Sequence, residues 1–116
     1  MKPGNEINWF KMKKRYRIYI TGNVQRVGFR NQASDEAVKS GISGKAMYID
    51  HAVVIEAEGG MDVLPGFISW CRKGPESCLI ESVEVTEMPL EYDTDFSVVH
   101  GIVSSARLTD IFSLMH

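Results

Sequence analysis

The stretch GNVQRVGFRNQ, residues 22–32, joins two segments whose apolar residues repeat with different periods. The preceding segment, YRIYITG (residues 16–22), alternates polar and apolar side chains with both isoleucines on one face, which predicts a half-buried strand. From Phe29 onward an apolar residue returns at every fourth position, at Ala33 and Ala37, which predicts a helix. The chain therefore changes from a strand to a helix within this stretch.

The turn between these two elements has the chemistry of an anion site. A loop that leaves a strand and enters a helix exposes successive backbone N–H groups, and the helix N-terminus adds unpaired donors and a partial positive charge. Gly28 permits the backbone to approach a ligand closely, and Arg30 adds a planar, permanently charged guanidinium that suits phosphate or carboxylate. The alternative role for Arg30 is an ion pair with a surface carboxylate.

The middle of the chain predicts a hairpin followed by a second helix. GKAMYI and AVVIEAEG are rich in strand-forming residues and flank Asp50 and His51, so we expect a two-residue hairpin loop, although histidine is not favoured at positive φ. VLPGFISWCRK has a helical apolar stripe. Asp62 is its candidate N-cap, Pro65 falls in the first turn, and Gly74 ends it.

LIESVEVTEM predicts a further strand that completes the order β-α-β-β-α-β, and DFSVVH adds a short last strand. This order predicts an α+β, ferredoxin-like fold, with an antiparallel sheet and two helices packed on one face. We expect residues 1–14 to form a polar leader, residues 15–100 the domain, and residues 101–116 a C-terminal extension.

The extension contains a short amphipathic pattern. Its apolar residues follow helical spacing, at Leu108, Ile111, Phe112 and Met115. Such a helix either docks on its own domain or contacts a partner. The expected state is a monomer, with a dimer through residues 101–116 as the alternative.

Composition excludes several classes of function. A formal net charge of −2 provides no basic field for nucleic acid or for an anionic membrane surface. The two cysteines are too few for a disulfide framework or for a metal site built from thiols alone, and they suit a reduced, cytoplasmic location. No apolar run approaches the roughly 20 residues that span a bilayer.

The loop GNVQRVGFR resembles the phosphate-binding loop of the acylphosphatases, written G-x-V-Q-G-V-G-F-R. Four later stretches resemble that family in the same order along the chain: GISG, AEG, WCRKGP and YDTDF. The similarity runs over roughly residues 15 to 99, and the family's fold is the β-α-β-β-α-β arrangement expected above.

The resemblance implies hydrolysis of a carboxyl-phosphate mixed anhydride, with an acyl phosphate or inorganic phosphate as the bound small molecule and with no metal or organic cofactor. Arg30 matches the family's phosphate-binding arginine. The phosphate cradle is matched by the backbone amides of Gln25, Arg26, Val27, Gly28, Phe29 and Arg30.

A second family signature is broken. The family has glycine, an aromatic residue, a small apolar residue, a variable residue, and then an asparagine that orients the attacking water. Here the stretch is GKAMY, so Tyr48 stands at the asparagine position and Lys45 at the aromatic one. Asparagine offers both an acceptor and a donor, whereas Tyr48 offers one hydroxyl on a bulky ring. Its phenol could hold the water, or its ring could fill the space, and the rate would fall by roughly 10²–10³ if a positioned group were lost.

Arg26 is the other departure, since it stands where the family has glycine. It either adds a second positive charge at the rim, is simply exposed, or strains a backbone that needs positive φ.

Three functions therefore compete. The first is hydrolysis of acyl phosphates, with Arg30 and Tyr48 as the catalytic residues. The second is a non-catalytic module of the same fold that binds phosphate or an acyl phosphate. The third, RNA recognition, needs stacking aromatic residues on the central strands. VVIEAEG contains none and is acidic, which argues against that third function.

Overall fold

A computed structural model describes residues 12–25 and 28–103. Seven elements follow the predicted order: β1 (Lys13–Asn23), α1 (Phe29–Lys39), β2 (Ser43–Ile49), β3 (Ala52–Gly60), α2 (Leu64–Lys73), β4 (Leu79–Met88) and β5 (Phe96–Val103). Residues 1–11 of the predicted leader and the predicted helix in the C-terminal extension lie outside the described residues. The predicted leader extended to residue 14, but β1 already begins at Lys13. The last strand includes residues 101–103, which the sequence analysis assigned to that extension.

The five strands form one sheet in the order β4-β1-β3-β2-β5. Three neighbouring pairs are antiparallel, as predicted, but β2 and β5 run parallel. The parallel pair arises because the chain leaves β4 at one edge of the sheet and returns as β5 at the opposite edge. The predicted ferredoxin-like α+β fold is confirmed, with this one parallel pair as a correction to the expected antiparallel sheet.

One face of the sheet carries the main core. Residues of β1, β2 and β3 pack there against the apolar stripes of both helices, and the helical stripes consist of Phe29, Ala33, Ala37, Leu64, Phe67 and Cys71. The Phe29 ring meets the Trp70 ring edge to face, with centroids 5.6 Å apart. The helical spacing in the sequence therefore identified the buried face of both helices.

The hairpin and the first turn of α2 agree with the sequence, whereas the N-cap of α2 does not. The two-residue hairpin loop is confirmed, since Ile49 pairs with Ala52, and Asp50 adopts a φ of 51°. Pro65 lies in the first turn of α2, as expected. The prediction of Asp62 as N-cap is wrong: Val63 occupies that position and makes no side-chain capping bond. The helix α2 therefore begins one residue later than it would if Asp62 were its N-cap.

The opposite face of the sheet is held by a buried ion network centred on Arg15. The Arg15 side chain is 0% exposed, and Glu56 and Glu58 are 3% and 2% exposed. Its guanidinium lies 2.7 Å from Glu56 Oε1, 3.1 Å from Glu58 Oε1 and 3.0 Å from Asp93 Oδ2. Burial lowers the pKa of Arg15, but its bonds to Glu56 and Asp93 outweigh that effect and raise the pKa overall.

The network also fastens the segment that connects β4 to β5, residues 89–95. The backbone amides of Glu91 and Tyr92 each donate to the Glu58 carboxylate at 2.8 Å. Tyr92 has a φ of 59°, a conformation that is rare for a residue with a side chain. Glu58 therefore holds the connection in a conformation that the chain would not favour alone.

A small apolar cluster lies on the same face, at the other end of these strands. It consists of Met47, Ile49 and Val54, with Tyr19, Val99 and Val103 packed against it. Strand β3 is therefore buried on both of its faces, which accounts for the apolar run AVVI at its start.

We expect Arg15→Met to lower the free energy of unfolding by about 3–5 kcal/mol, because it removes the shared partner of two buried carboxylates. Urea unfolding followed by circular dichroism measures this loss. Lys14→Met is the matched control, since its ion pair with Glu87 is exposed to solvent and contributes little to stability. Equal losses in the two variants would contradict a structural role for the network.

Candidate active site

The loop between β1 and α1 places unpaired backbone donors at a helix N-terminus. Val24 anchors the loop in the core, and Gly28 is the N-cap residue of α1, with a φ of 75°. The cap makes no side-chain bond, and the first turn contains no acidic residue, so the amides there keep their capacity to bind an anion. Arg26 and Val27, two of the six predicted phosphate-binding positions, lie outside the described residues.

Phe29 has two separate functions in this loop. Its side chain is fully buried in the core, whereas its backbone begins the helix at the loop. The only contribution that Phe29 can make to an anion site is therefore its N–H group, as the sequence analysis assumed.

The Gln25 side chain ties the loop to the β2–β3 hairpin. Its Nε2 donates to the backbone oxygens of Asp50 at 2.8 Å and Ala52 at 3.1 Å. This use of the side chain was not predicted, because its partners are backbone atoms 25 and 27 residues further along the chain. Both bonds restrain the loop relative to the sheet.

The Arg30 guanidinium is held from two directions. Its Nη1 donates to the backbone oxygens of Val99 at 2.7 Å and Gly101 at 3.0 Å, both on β5. Its Cζ lies 3.8 Å from the centroid of the Tyr48 ring, a cation–π arrangement. The structure thus brings together Arg30 and Tyr48, the two residues that sequence comparison singled out for catalysis.

Tyr48 is 6% exposed and belongs to the main core cluster. It lies on β2 between Val53 of β3 and Ile102 of β5. Its buried ring contacts the Arg30 guanidinium. The sequence had no signal for this contact, since Arg30 and Tyr48 lie on different elements.

The described ranges, 12–25 and 28–103, contain neither a metal-ligand cluster nor a membrane-spanning helix. There, no three histidine, cysteine or acidic residues are grouped so that they could hold a metal ion. No helix in the same ranges has the length and apolar character needed to cross a bilayer. Both cysteines are free thiols, and burial raises the pKa of Cys71.

The comparison with family models decides the classification. Residues 16–98 match the model described as acylphosphatase. The chain belongs to the acylphosphatase family. The match begins within β1 at residue 16, includes the loop, Arg30 and Tyr48, and ends within β5 before the carbonyl groups that hold Arg30.

Individual acylphosphatases and one larger protein resemble the chain. An acylphosphatase of Synechococcus sp. (strain CC9311) is 35% identical over 75% of this chain and 98% of its own length. The crystal structure of the Bacillus subtilis acylphosphatase is 35% identical, with a TM-score of 0.72, and covers 77% of this chain and 100% of that one. Full-length HypF in its phosphate- and nucleotide-bound form is 28% identical, with a TM-score of 0.75, over 80% of this chain but only 12% of HypF.

We expect Gln25→Ala to free the acylphosphatase loop from the hairpin. Two partly exposed hydrogen bonds are lost, so the free energy of unfolding should fall by about 1–2 kcal/mol. The amides of the loop should also exchange with deuterium faster than in the unmodified protein. Gln32→Ala, at an exposed position on α1, is the control and should leave exchange in the loop unchanged. Identical exchange in the two variants would show that Gln25 does not restrain the loop.

Proposed function

We propose that this protein hydrolyses acyl phosphates to a carboxylate and inorganic phosphate. The observation that carries the proposal is the Arg30 guanidinium, fixed beside a helix N-terminus with an uncapped first turn, within a chain of the acylphosphatase family. The curated relatives carry the name acylphosphatase, which favours hydrolysis over the non-catalytic binding module.

The proposed reaction requires no strong acid catalysis from the protein. A water oxygen forms a bond to phosphorus, the bond between phosphorus and the acyl oxygen breaks, and the electron pair leaves with the carboxylate. The proton of the water ends on the released phosphate. Because a carboxylate is a good leaving group, no strong general acid is needed. The site must hold the phosphoryl group and stabilise its charge in the transition state.

The loop and Arg30 supply these functions. Backbone amides between Gln25 and Arg30 bind the phosphoryl oxygens, and the guanidinium neutralises their charge. Such fixed donors need little rearrangement during the reaction, which is why preorganised charges lower a barrier more than mobile ones.

Tyr48 acts mainly through its ring. The ring lies against the guanidinium at 3.8 Å and restricts the orientations that the Arg30 side chain can adopt. An arginine side chain loses about 2 kcal/mol of rotamer entropy when it is fixed, so a contact that fixes it in advance favours binding. This role differs from that of the asparagine it replaces, which orients the water.

The family relation supports a small acyl phosphate as the substrate. The cytoplasmic location and the monomeric state, with a dimer through residues 101–116 as its alternative, stay predictions from the sequence.

We expect Arg30→Ala to reduce kcat/KM for benzoyl phosphate by roughly 10²–10³, because it removes the only side-chain charge assigned to the phosphoryl group. Hydrolysis is followed by the loss of benzoyl phosphate absorbance. Arg72→Ala, the same change at an exposed position near the end of α2, should retain full activity. If the unmodified protein binds phosphate but turns over neither benzoyl nor acetyl phosphate, the binding module is the correct function.

Two variants of Tyr48 separate the ring from the hydroxyl. Tyr48→Phe keeps the face that contacts Arg30, so kcat/KM should change less than about threefold, whereas Tyr48→Leu should lose roughly 3- to 30-fold, the range of a partly desolvated cation–π contact. If Phe is as damaging as Leu, the hydroxyl is the important group and it holds the water. A large gain in Tyr48→Asn would show that water placement limits the rate.

Activity should not depend on a metal ion, since the proposed charges come from Arg30 and backbone amides. We expect dialysis against EDTA to leave kcat for acetyl phosphate unchanged within error. A loss of activity that returns on addition of Mg²⁺ or Zn²⁺ would contradict the proposed mechanism.

A further inference from the structure

The pairing of β5 with β2 is interrupted beside the site. Val98 lies opposite Ala46, and the next paired residue, Ile102, lies opposite Tyr48. Residues 99–101 therefore face the single residue Met47, two more than a regular ladder would place there. We call these three residues the β5 bulge. Such bulges redirect backbone groups and occur often at sheet edges and beside active sites.

The two ends of the β5 bulge are the partners of Arg30. The backbone oxygens of Val99 and Gly101 both accept from Nη1, at 2.7 and 3.0 Å. Because the residues of the bulge have no partners in β2, their oxygens are available to a side chain from α1. Gly101 has a φ of 79°, so the backbone at this end of the bulge has a conformation that favours glycine.

These bonds determine which part of the guanidinium remains available. A guanidinium has five N–H donors in a rigid plane, two of them on Nη1. Both Nη1 donors are used by the bulge, while Tyr48 covers a face of the plane. Within residues 12–25 and 28–103, Nε and Nη2 donate to no other group. Three N–H donors thus remain, on one edge of a plane whose orientation is already fixed.

We propose that the β5 bulge is a positioning element for the anion site. Its two backbone oxygens hold the Arg30 guanidinium in one orientation and leave Nε and Nη2 to bind the phosphoryl group. The inference rests on the proposed function for the identity of the ligand, an acyl phosphate. The placement of Arg30 by the bulge can be tested with inorganic phosphate alone, without turnover.

Two glycines allow a matched test. Gly101 and Gly41 have φ values of 79° and 69°, and a Cβ added at either would meet no atom of the described chain within 4 Å. Alanine at either position therefore introduces a similar backbone strain without a steric clash. Of these two glycines, Gly101 is the one whose backbone oxygen accepts a hydrogen bond from Arg30. A difference between the variants in anion binding reports on the contact rather than on the strain.

The experiment measures the Kd for inorganic phosphate by calorimetric titration and kcat/KM for benzoyl phosphate. We expect Gly101→Ala to weaken phosphate binding and to lower kcat/KM, each by about tenfold, the effect of misplacing one charged hydrogen-bonding group. Gly41→Ala should lower thermal stability to a similar extent and leave both values unchanged. Equal effects of the two variants on phosphate binding would overturn the proposal.

A double-variant cycle tests whether the bulge acts through Arg30. In an Arg30→Ala background, Gly101→Ala should not weaken phosphate binding any further, because the group that the bulge positions is absent. A full additional loss in that background would overturn the proposal, since the bulge would then act independently. The unmodified protein could hydrolyse no acyl phosphate while Gly101→Ala weakens phosphate binding only when Arg30 is present. In that case the proposed function fails and the positioning role of the bulge stands.

Discussion

The buried charge of Arg15 is the constraint on which the rest of the structure depends. A guanidinium that is 0% exposed must be paired, and it is paired with Glu56 and Glu58 of the central strand β3 and with Asp93 of the connection to β5. Because Glu58 also accepts two backbone amides of that connection, the network sets the path of residues 89–95 across the sheet. That path brings β5 to the edge beside β2, where its bulge meets Arg30.

The candidate site uses a second arginine in the opposite way. Arg15 is surrounded by carboxylates, whereas the contacts of Arg30 within residues 12–25 and 28–103 are with uncharged groups: two backbone oxygens and the Tyr48 ring. Neutral partners orient a cation without neutralising it, so its charge remains available to a phosphoryl group. This contrast separates an arginine that is held inside an ion network from the arginine whose charge the proposed function uses.

Much of the architecture could be predicted from local patterns. The alternation in β1, the helical stripe from Phe29 to Ala37 and the loop at Asp50 all appear as expected, because each depends on neighbours within a few residues. The N-cap of α2 was wrong, because Asp62 was chosen by residue type and the helix begins after Val63. The direction of β5 relative to β2 was also missed, since a strand pattern carries no information about which neighbour it pairs with.

The sequence by itself determined the order of elements, the family and the placement of Arg30 at the start of a helix, since residue type and short-range spacing encode all three. Only the tertiary structure decided what surrounds Arg30. Its partners are the ring of Tyr48 and two backbone oxygens that lie 69 and 71 residues away along the chain. Every residue carries a backbone oxygen, so the residue types at these two positions do not predict the contact with Arg30. The two oxygens become available because the pairing of β5 with β2 is interrupted in the folded structure.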